Sequence, residues 1–151
     1  MNGAKSSEID LGSLRQAGLA RVKPKRPFLS VGMGTCGIAA GADLVLAALG
    51  KAVAERKLDA AVRRVGCFGF CAAEPLVMAY RPGKPLLLFT EAKPARAAKL
   101  AAGVADDEAF DRLAKTAEAK IEAWDFRTSH LEFGKGYAFL PSWDELPFFK
   151  G

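Results

Sequence analysis

The sequence predicts an α/β fold, in which a mixed sheet of about four strands packs against flanking helices and is followed by an extended C-terminal tail. Short apolar runs alternate with longer stretches of helical period, which is the pattern of alternating strands and helices. Two of the apolar runs are joined by a tight turn, which makes that pair antiparallel. Half of the 151 residues are hydrophobic, so the chain can bury a sizeable core.

The first half of the predicted sheet consists of two strands joined through a helix. The run "FLSV" at 28–31 is apolar and is followed by glycines, which is typical of a buried strand. The stretch "GMGTCG" at 32–37 is predicted to be a loop. Apolar residues then recur at helical spacing over 39–57, and "AAVRRVG" at 60–66 predicts the second strand. A helical crossover of this kind joins parallel strands.

The second half is a hairpin followed by helices. The runs "PLVMAY" at 75–80 and "PLLLF" at 85–89 flank "RPGK", whose Pro-Gly pair is typical of a tight turn. Helices are predicted over 94–103 and 105–124, and the second has an acidic start and a buried stripe. That stripe consists of Phe110, Leu113, Ala117, Ile121 and Trp124. The order strand, helix, strand, hairpin and helix is the layout of a thioredoxin-like fold.

The chain divides into three predicted regions. These are a basic N-terminal arm at 1–26 with a short helix over 8–20, an α/β domain at 27–124 and the extended tail at 125–151. The arm carries six basic and two acidic residues. No aromatic side chains interleave with these charges, as a base-stacking surface would require, so no nucleic-acid partner is expected.

The sequence indicates a cytoplasmic protein without direct membrane insertion. The N-terminus has neither the apolar stretch nor the cleavage-site pattern of a secretory signal. The longest uncharged apolar run is well short of the roughly 18–20 residues that span a bilayer. In a reducing compartment, clustered cysteines more often bind metal or carry out redox chemistry than form a disulfide framework.

Three cysteines are the candidate metal ligands. Cys67 and Cys71 lie in "VGCFGFC" at 65–71, with three residues between them, and Cys36 lies in "VGMGTCGIAAGA" at 31–42. Zinc tolerates this spacing, whereas thioredoxin-type redox pairs have two intervening residues and match it poorly. A third interpretation, that the cysteines are small buried hydrophobic residues, also stays open at this point.

Glycines around the cysteines favour an iron–sulfur cluster, because backbone amides approach cluster sulfides closely only where side chains are absent. Gly34 and Gly37 flank Cys36, and Gly69 lies between the other two cysteines. Phe68 and Phe70 would supply an apolar wall.

The stretches "VGMGTCGIAAGADLVLAAL" and "VGCFGFCAAEPLVMAY" resemble the thioredoxin-like [2Fe-2S] ferredoxin module of NADH dehydrogenase-type diaphorases, over roughly residues 27–90. That module occurs as the small, 24 kDa-type subunit of complex I and as a domain or subunit of hydrogenase and formate dehydrogenase diaphorases. The resemblance implies one-electron transfer through a [2Fe-2S] cluster held by Cys36, Cys67 and Cys71. It implies cluster contacts from Gly34, Thr35, Gly37, Phe68, Gly69 and Phe70.

The chain departs from that family in its first loop. The family usually has four cysteine ligands, and Gly32 stands where the first is expected, so this sequence is a three-cysteine variant. The fourth ligand would have to be a carboxylate, a serine, His130 or a partner's residue. The alternative is a module that has lost its cluster and serves as a thioredoxin-like assembly module.

The tail carries a second resemblance. The stretch "SWDELPFFKG" at 142–151 is similar to the segment that opens the flavin-binding, 51 kDa-type subunit of these complexes. No glycine-rich FMN or NADH motif lies within the 151 residues, so FMN and NAD(P)H are expected only on a partner. We therefore expect a flavin-binding partner subunit, with the tail packing across it or leading into it. The chain itself is expected to be a non-catalytic redox component.

Overall fold

The computed structural model describes residues 10–67 and 69–121. The helices are α1 (Leu11–Val22), α2 (Thr35–Ala39), α3 (Ala42–Glu55), α4 (Ala97–Gly103) and α5 (Asp107–Ala114). The strands are β1 (Phe28–Gly32), β2 (Ala61–Val65), β3 (Val77–Tyr80), β4 (Leu86–Phe89) and β5 (Ala119–Ile121). Short 3-10 turns lie at Cys71–Ala73 and Pro94–Arg96.

The strands form one mixed sheet in the order β2-β1-β3-β4-β5. Strands β1 and β2 are parallel because helix α3 carries the chain back across the sheet between them. The pairs β1 with β3, β3 with β4, and β4 with β5 are antiparallel. The predicted mixed sheet with flanking helices is thus confirmed, and its first four strands have the thioredoxin-like arrangement.

The main core lies between one face of the sheet and three helices. Leu29 and Val31 of β1 point to this face, together with alternate residues of β3 and β4. The helical contributions are Ala42, Val45, Leu49 and Ala52 from α3, Ala97, Leu100 and Ala101 from α4, and Phe110 and Leu113 from α5. This packing fixes β1 and α3, and thereby the segment between them that carries Cys36.

The predicted helix over 105–124 is wrong in its second half. Helix α5 begins after Asp106, whose Oδ1 accepts a hydrogen bond from the backbone N–H of Ala109 at 2.7 Å, and it ends at Ala114. Residues Ala119–Ile121 instead form β5, which pairs with β4. The outer edge of β4 would otherwise expose a row of unpaired backbone groups, so tertiary pairing overrides the helical composition here.

The predicted loop at 32–37 is also corrected, because residues 35–39 form helix α2. Gly41 then adopts a left-handed conformation with φ of 91°, which ends one helix and allows α3 to start in a new direction. The long helix predicted over 39–57 therefore begins at Ala42. The consequence for the site is that Cys36 lies in the first turn of a short helix rather than in an open loop.

Several predictions fall outside the described residues. These are the conformation of residues 1–9, of Phe68 and of the tail, including Trp124 and His130. The described part of the N-terminal helix is confirmed as α1. No helix among residues 10–67 and 69–121 is long and apolar enough to cross a membrane.

Candidate metal centre

Cys67 and Cys71 lie in the loop that follows β2. Their Sγ atoms are 4.0 Å apart, and both thiols are free and exposed. Two sulfurs bound to one tetrahedral metal with bonds of about 2.3 Å are about 3.8 Å apart. The pair is therefore spaced to share a single metal ion.

Gly69 links the two cysteines through its backbone. Its φ is 85°, in the left-handed region that glycine adopts without steric cost. In this conformation its N–H donates a hydrogen bond to Cys67 Sγ at 3.2 Å. A hydrogen bond of this kind stabilises negative charge on the sulfur and orients it, as outer-shell donors do for metal ligands. The structure thus places Gly69 at the predicted site.

The segment that carries Cys36 lies against this loop, because β1 and β2 are parallel neighbours. Gly32 pairs with Val65 at the ends of the two strands, and Met33 N–H donates to Val65 O at 2.8 Å just beyond them. A Cβ atom added to Gly34 would lie 2.8 Å from the Cβ of Cys67, closer than real Cβ contacts come. Glycine at 34 is therefore what allows the two segments to touch.

The thiol of Cys36 interacts with the pair. The pKa of Cys71 is raised above its ordinary value, first by hydrogen bonding with the side chain of Cys36, while the hydrogen bond with Cys67 acts in the opposite direction. The charges of Cys36 and Glu74 raise that pKa further. The segments that carry the three predicted ligands thus lie at one end of the sheet, where the Sγ atoms of Cys67 and Cys71 are 4.0 Å apart. Within residues 10–67 and 69–121, however, no three His, Cys, Asp or Glu side chains are arranged to hold a metal ion.

Glu74 is a neighbour of the site that the sequence prediction assigned only to a turn. Its side chain is buried, and Oε2 accepts a hydrogen bond from the N–H of Leu76 at 2.8 Å, whereas Oε1 is buried with no partner in the described part of the chain. Buried carboxylates are uncommon, and a buried carboxylate oxygen without a hydrogen-bond partner is rarer still. The sequence offers one signal: Glu74 is the only acidic residue between Asp59 and Glu91, and it follows Cys71 by three positions.

Gly37 is explained by packing within the protein. A Cβ added there would lie 2.5 Å from the carbonyl oxygen of Gly32 and 3.1 Å from Oε2 of Glu74. The residue is buried, so its small size lets α2 sit directly on the end of β1 and on the Glu74 carboxylate. Its predicted contact with a cofactor stays a prediction.

The other predicted contact residues lie in different surroundings. Thr35 is exposed in the first turn of α2. Phe70 is half-buried and packs against the apolar cluster of Leu76, Leu88 and Ala119. Ile38 and Leu44, which the sequence did not single out, are large apolar side chains on α2 and α3 that are 50% and 61% exposed. They place an apolar surface on the two helices that follow Cys36.

Comparison with known proteins finds no matching family model and no matching curated protein. Among solved structures, a thioredoxin-like [2Fe-2S] ferredoxin from Aquifex aeolicus is similar at 14% identity, over 50% of this chain and 76% of that chain, with a TM-score of 0.43. The wild-type ferredoxin from the same organism is similar at 16% identity, over 48% of this chain and 78% of that chain, with a TM-score of 0.40.

Proposed function

We propose that this chain is an electron-transfer protein whose [2Fe-2S] centre is held by Cys36, Cys67 and Cys71. The observation that carries the proposal is the 4.0 Å separation of the Cys67 and Cys71 sulfurs, with the N–H of Gly69 donating to one of them. Cysteine thiolates are the usual ligands of such clusters, which supply one-electron redox chemistry. The likeness to the Aquifex aeolicus ferredoxins is too distant to add to this argument.

The three cysteines have separate tasks in this proposal. Cys67 and Cys71 would bind together, because their sulfurs have the spacing of ligands that share a tetrahedral metal. Cys36 would supply a further thiolate from the neighbouring segment. The chain contains only three cysteines, so one ligand position is filled by a carboxylate, a hydroxyl, His130 or a residue of a partner.

The partner in this proposal is a flavin-binding subunit of the NADH dehydrogenase type, which carries the FMN and NAD(P)H sites. Two features support this. Residues 142–151 resemble the opening segment of such a subunit, and the three thiols are exposed, so a second protein can reach the centre. The parent complex would be of the complex I, hydrogenase or formate dehydrogenase type. Free thiols and an oxygen-sensitive cluster suit a cytoplasmic, reducing location.

A second function is favoured by one observation. Within the described residues no group of three or more ligand side chains has the geometry of a finished ion site. This supports the alternative of a cluster-free, thioredoxin-like module that assembles subunits of the same kind of complex. In that case the cysteines would be free thiols, with Cys67 and Cys71 close enough to interact directly.

Anaerobic purification followed by iron and acid-labile sulfide analysis tests the proposal. The expected result is iron and sulfide in equal amounts, visible absorption, and a paramagnetic signal after one-electron reduction. Cys67→Ser and Cys71→Ser should each lose most of the iron, and Cys36→Ser should lose it or alter the signal. Ala39→Ser, at an exposed position in the same short helix as Cys36, is the matched control and should keep its full content of iron and sulfide.

The other outcomes each point to one alternative. Folded protein with neither iron nor sulfide would support the assembly module. One zinc per chain without sulfide would support a zinc site. Loss of the signal in His130→Ala, with the signal intact in the cysteine variants, would show that the ligand assignment is wrong.

A further inference from the structure

The sheet has a second face, opposite the one that packs on helices α3, α4 and α5. Side chains alternate along a strand, so Phe28 points away from the side of Leu29 and Val31. The strand register places a set of mainly apolar residues on this second face. They are Phe28, Ala61, Met78, Tyr80, Leu86, Leu88, Ala119 and Ile121.

Several of these side chains are buried, although the core residues of helices α3, α4 and α5 pack on the opposite face. Phe28, Tyr80 and Leu86 form one cluster and are 6%, 4% and 5% exposed. Leu76, Leu88 and Ala119 form a second cluster, and the described members of both clusters belong to strands and loops. A sheet face that nothing covers leaves its side chains in contact with water. Because the side chains of these clusters are buried, an additional layer must cover this face.

We propose that the C-terminal segment, residues 122–151, folds back over this second face of the sheet. The segment starts where β5 ends, and β5 is itself the edge strand whose Ile121 lies on this face. The segment also supplies eight aromatic side chains that can form an apolar layer on this face. They are Trp124, Phe126, Phe133, Tyr137, Phe139, Trp143, Phe148 and Phe149.

Charge supports the same occupant. The segment has five acidic and three basic residues, a net charge of −2, whereas residues 1–121 have 19 basic and 12 acidic residues, a net charge of +7. Opposite charge on two surfaces favours their association. Arg63, whose guanidinium lies 4.3 Å from the ring centre of Phe28, contributes positive charge beside this face.

A buried hydroxyl on the same face supports a covering layer of chain. Ser30 pairs in register with Arg63 and Met78, is fully buried, and its Oγ has no hydrogen-bond partner among the residues that the structure describes. Backbone or side-chain groups of an overlying segment would satisfy it, as buried polar groups generally are.

The N-terminal arm is a poorer occupant. Residues 1–9 contain only Met1 and Ile9 as large apolar side chains. The end of α1 lies beside β2, where Arg21 O accepts a hydrogen bond from Arg63 at 3.4 Å, and Leu11 and Leu14 at its start are 75% and 58% exposed. The proposal concerns the opposite side of the sheet from the main core and does not depend on the cysteine centre.

Tryptophan fluorescence of the full chain tests the proposal, because Trp124 and Trp143 are the only tryptophans and both lie in the segment. In the folded monomer at low concentration, we expect blue-shifted emission that acrylamide quenches poorly. Met78→Arg, on the second face and half-buried, should shift the emission to the red and increase quenching. Leu44→Arg, an exposed position on helix α3, is the matched control and should leave both unchanged.

Limited trypsin digestion of the unmodified chain gives a second measurement that does not depend on how Met78→Arg folds. Protection of the sites after Arg127 and Lys135 in the monomer would support the proposal. Solvent-exposed tryptophans together with immediate cleavage at these sites in a folded monomer would overturn it. So would protection that appears only on dimerisation, or only after a flavin-binding partner is added, since the occupant would then be a second copy or that partner.

Discussion

A Cβ atom built on Gly34 would lie 2.8 Å from the Cβ of Cys67 and 3.3 Å from its Cα, so the backbone of Gly34 packs directly against Cys67. Gly34 precedes helix α2 and Cys67 follows strand β2. The contact joins the segment of Cys36 to the segment of Cys67 and Cys71. The spacing of the candidate ligands therefore depends on a residue that supplies no ligand.

Gly34→Ala should separate the two segments and lower the iron and sulfide content per chain, while the sheet stays folded. All three of the nearest atoms that the new methyl group meets belong to Cys67, so the loop of the candidate ligand must move. Iron and sulfide analysis beside far-UV circular dichroism checks this. Gly50→Ala in helix α3 is the control, because a Cβ there meets no atom within 4 Å. It should keep its iron and gain about 0.5–1 kcal/mol of stability.

Glu74→Ala should destabilise the site end of the sheet. The substitution removes the acceptor of the Leu76 N–H, which is buried at the start of β3. Leaving a buried donor unsatisfied costs about 1–3 kcal/mol. Glu74→Gln keeps an acceptor oxygen at the same position and should lose markedly less stability than Glu74→Ala. Urea unfolding measures the free energy of unfolding of both variants. Equal losses would mean that the hydrogen bond from the Leu76 N–H is not the reason that Glu74 stabilises the fold.

The meeting of the cysteine segments was predictable from the sequence, whereas their local conformation was not. Parallel strands have their carboxyl ends at the same edge of a sheet, and the runs at 28–31 and 60–66 are readable as strands from their apolar pattern. The glycines of "GMGTCG" resemble a loop in composition. Helix α2 forms there with Gly37 packed on Gly32 and Glu74, and the contact with Glu74, a residue far along the chain, is one that no local pattern encodes.

Strand β5 was missed for a related reason. Its three residues lie in a stretch rich in Ala, Lys and Glu, which have high helix propensity. The backbone N–H of Glu118 donates to Leu88 O at 3.0 Å, and Leu88 pairs with Ala119. Pairing with the exposed edge of β4 outweighs propensities of a few tenths of a kcal/mol per residue. The burial of Glu74 could not be predicted either, because a single acidic residue in a sequence does not indicate whether its side chain is buried.

Gly103→Ala should destabilise the contact between helices α4 and α5. A Cβ added at Gly103 would lie 2.9 Å from both Cβ and Cγ of Leu113, and both residues are buried in the main core. Overpacking of this kind costs about 1–3 kcal/mol. Thermal or urea unfolding checks the loss. The double variant Gly103→Ala/Leu113→Ala should show a favourable coupling relative to the two single changes, because it lacks the clash with Cγ and keeps only the contact with Cβ. Additive losses would contradict the packing explanation.

Asp107→Asn should reduce stability at neutral pH by an amount that disappears in acid. Arg81 donates hydrogen bonds to the Asp107 carboxylate and to the carbonyl oxygens of Val104 and Ala105, which ties β3 to the turn before α5. The hydrogen bond from Arg81 is the main reason that the pKa of Asp107 lies below its ordinary value of 3.8. A carboxyl whose pKa is lower in the folded than in the unfolded protein stabilises the fold above the unfolded value, and this contribution is lost as pH falls through the folded value.

The difference in unfolding free energy between the unmodified protein and Asp107→Asn should therefore be constant from pH 7 to about pH 5 and shrink as pH falls below the ordinary value of 3.8. Asp43→Asn, at another acidic residue in the first turn of a helix, controls for the general loss of one negative charge. Urea unfolding in a pH series at constant ionic strength measures both, since salt screens exposed pairs such as this one. A difference for Asp107→Asn that stays the same from pH 7 to pH 3 would mean that packing, and not the charge on Asp107, stabilises this corner of the fold.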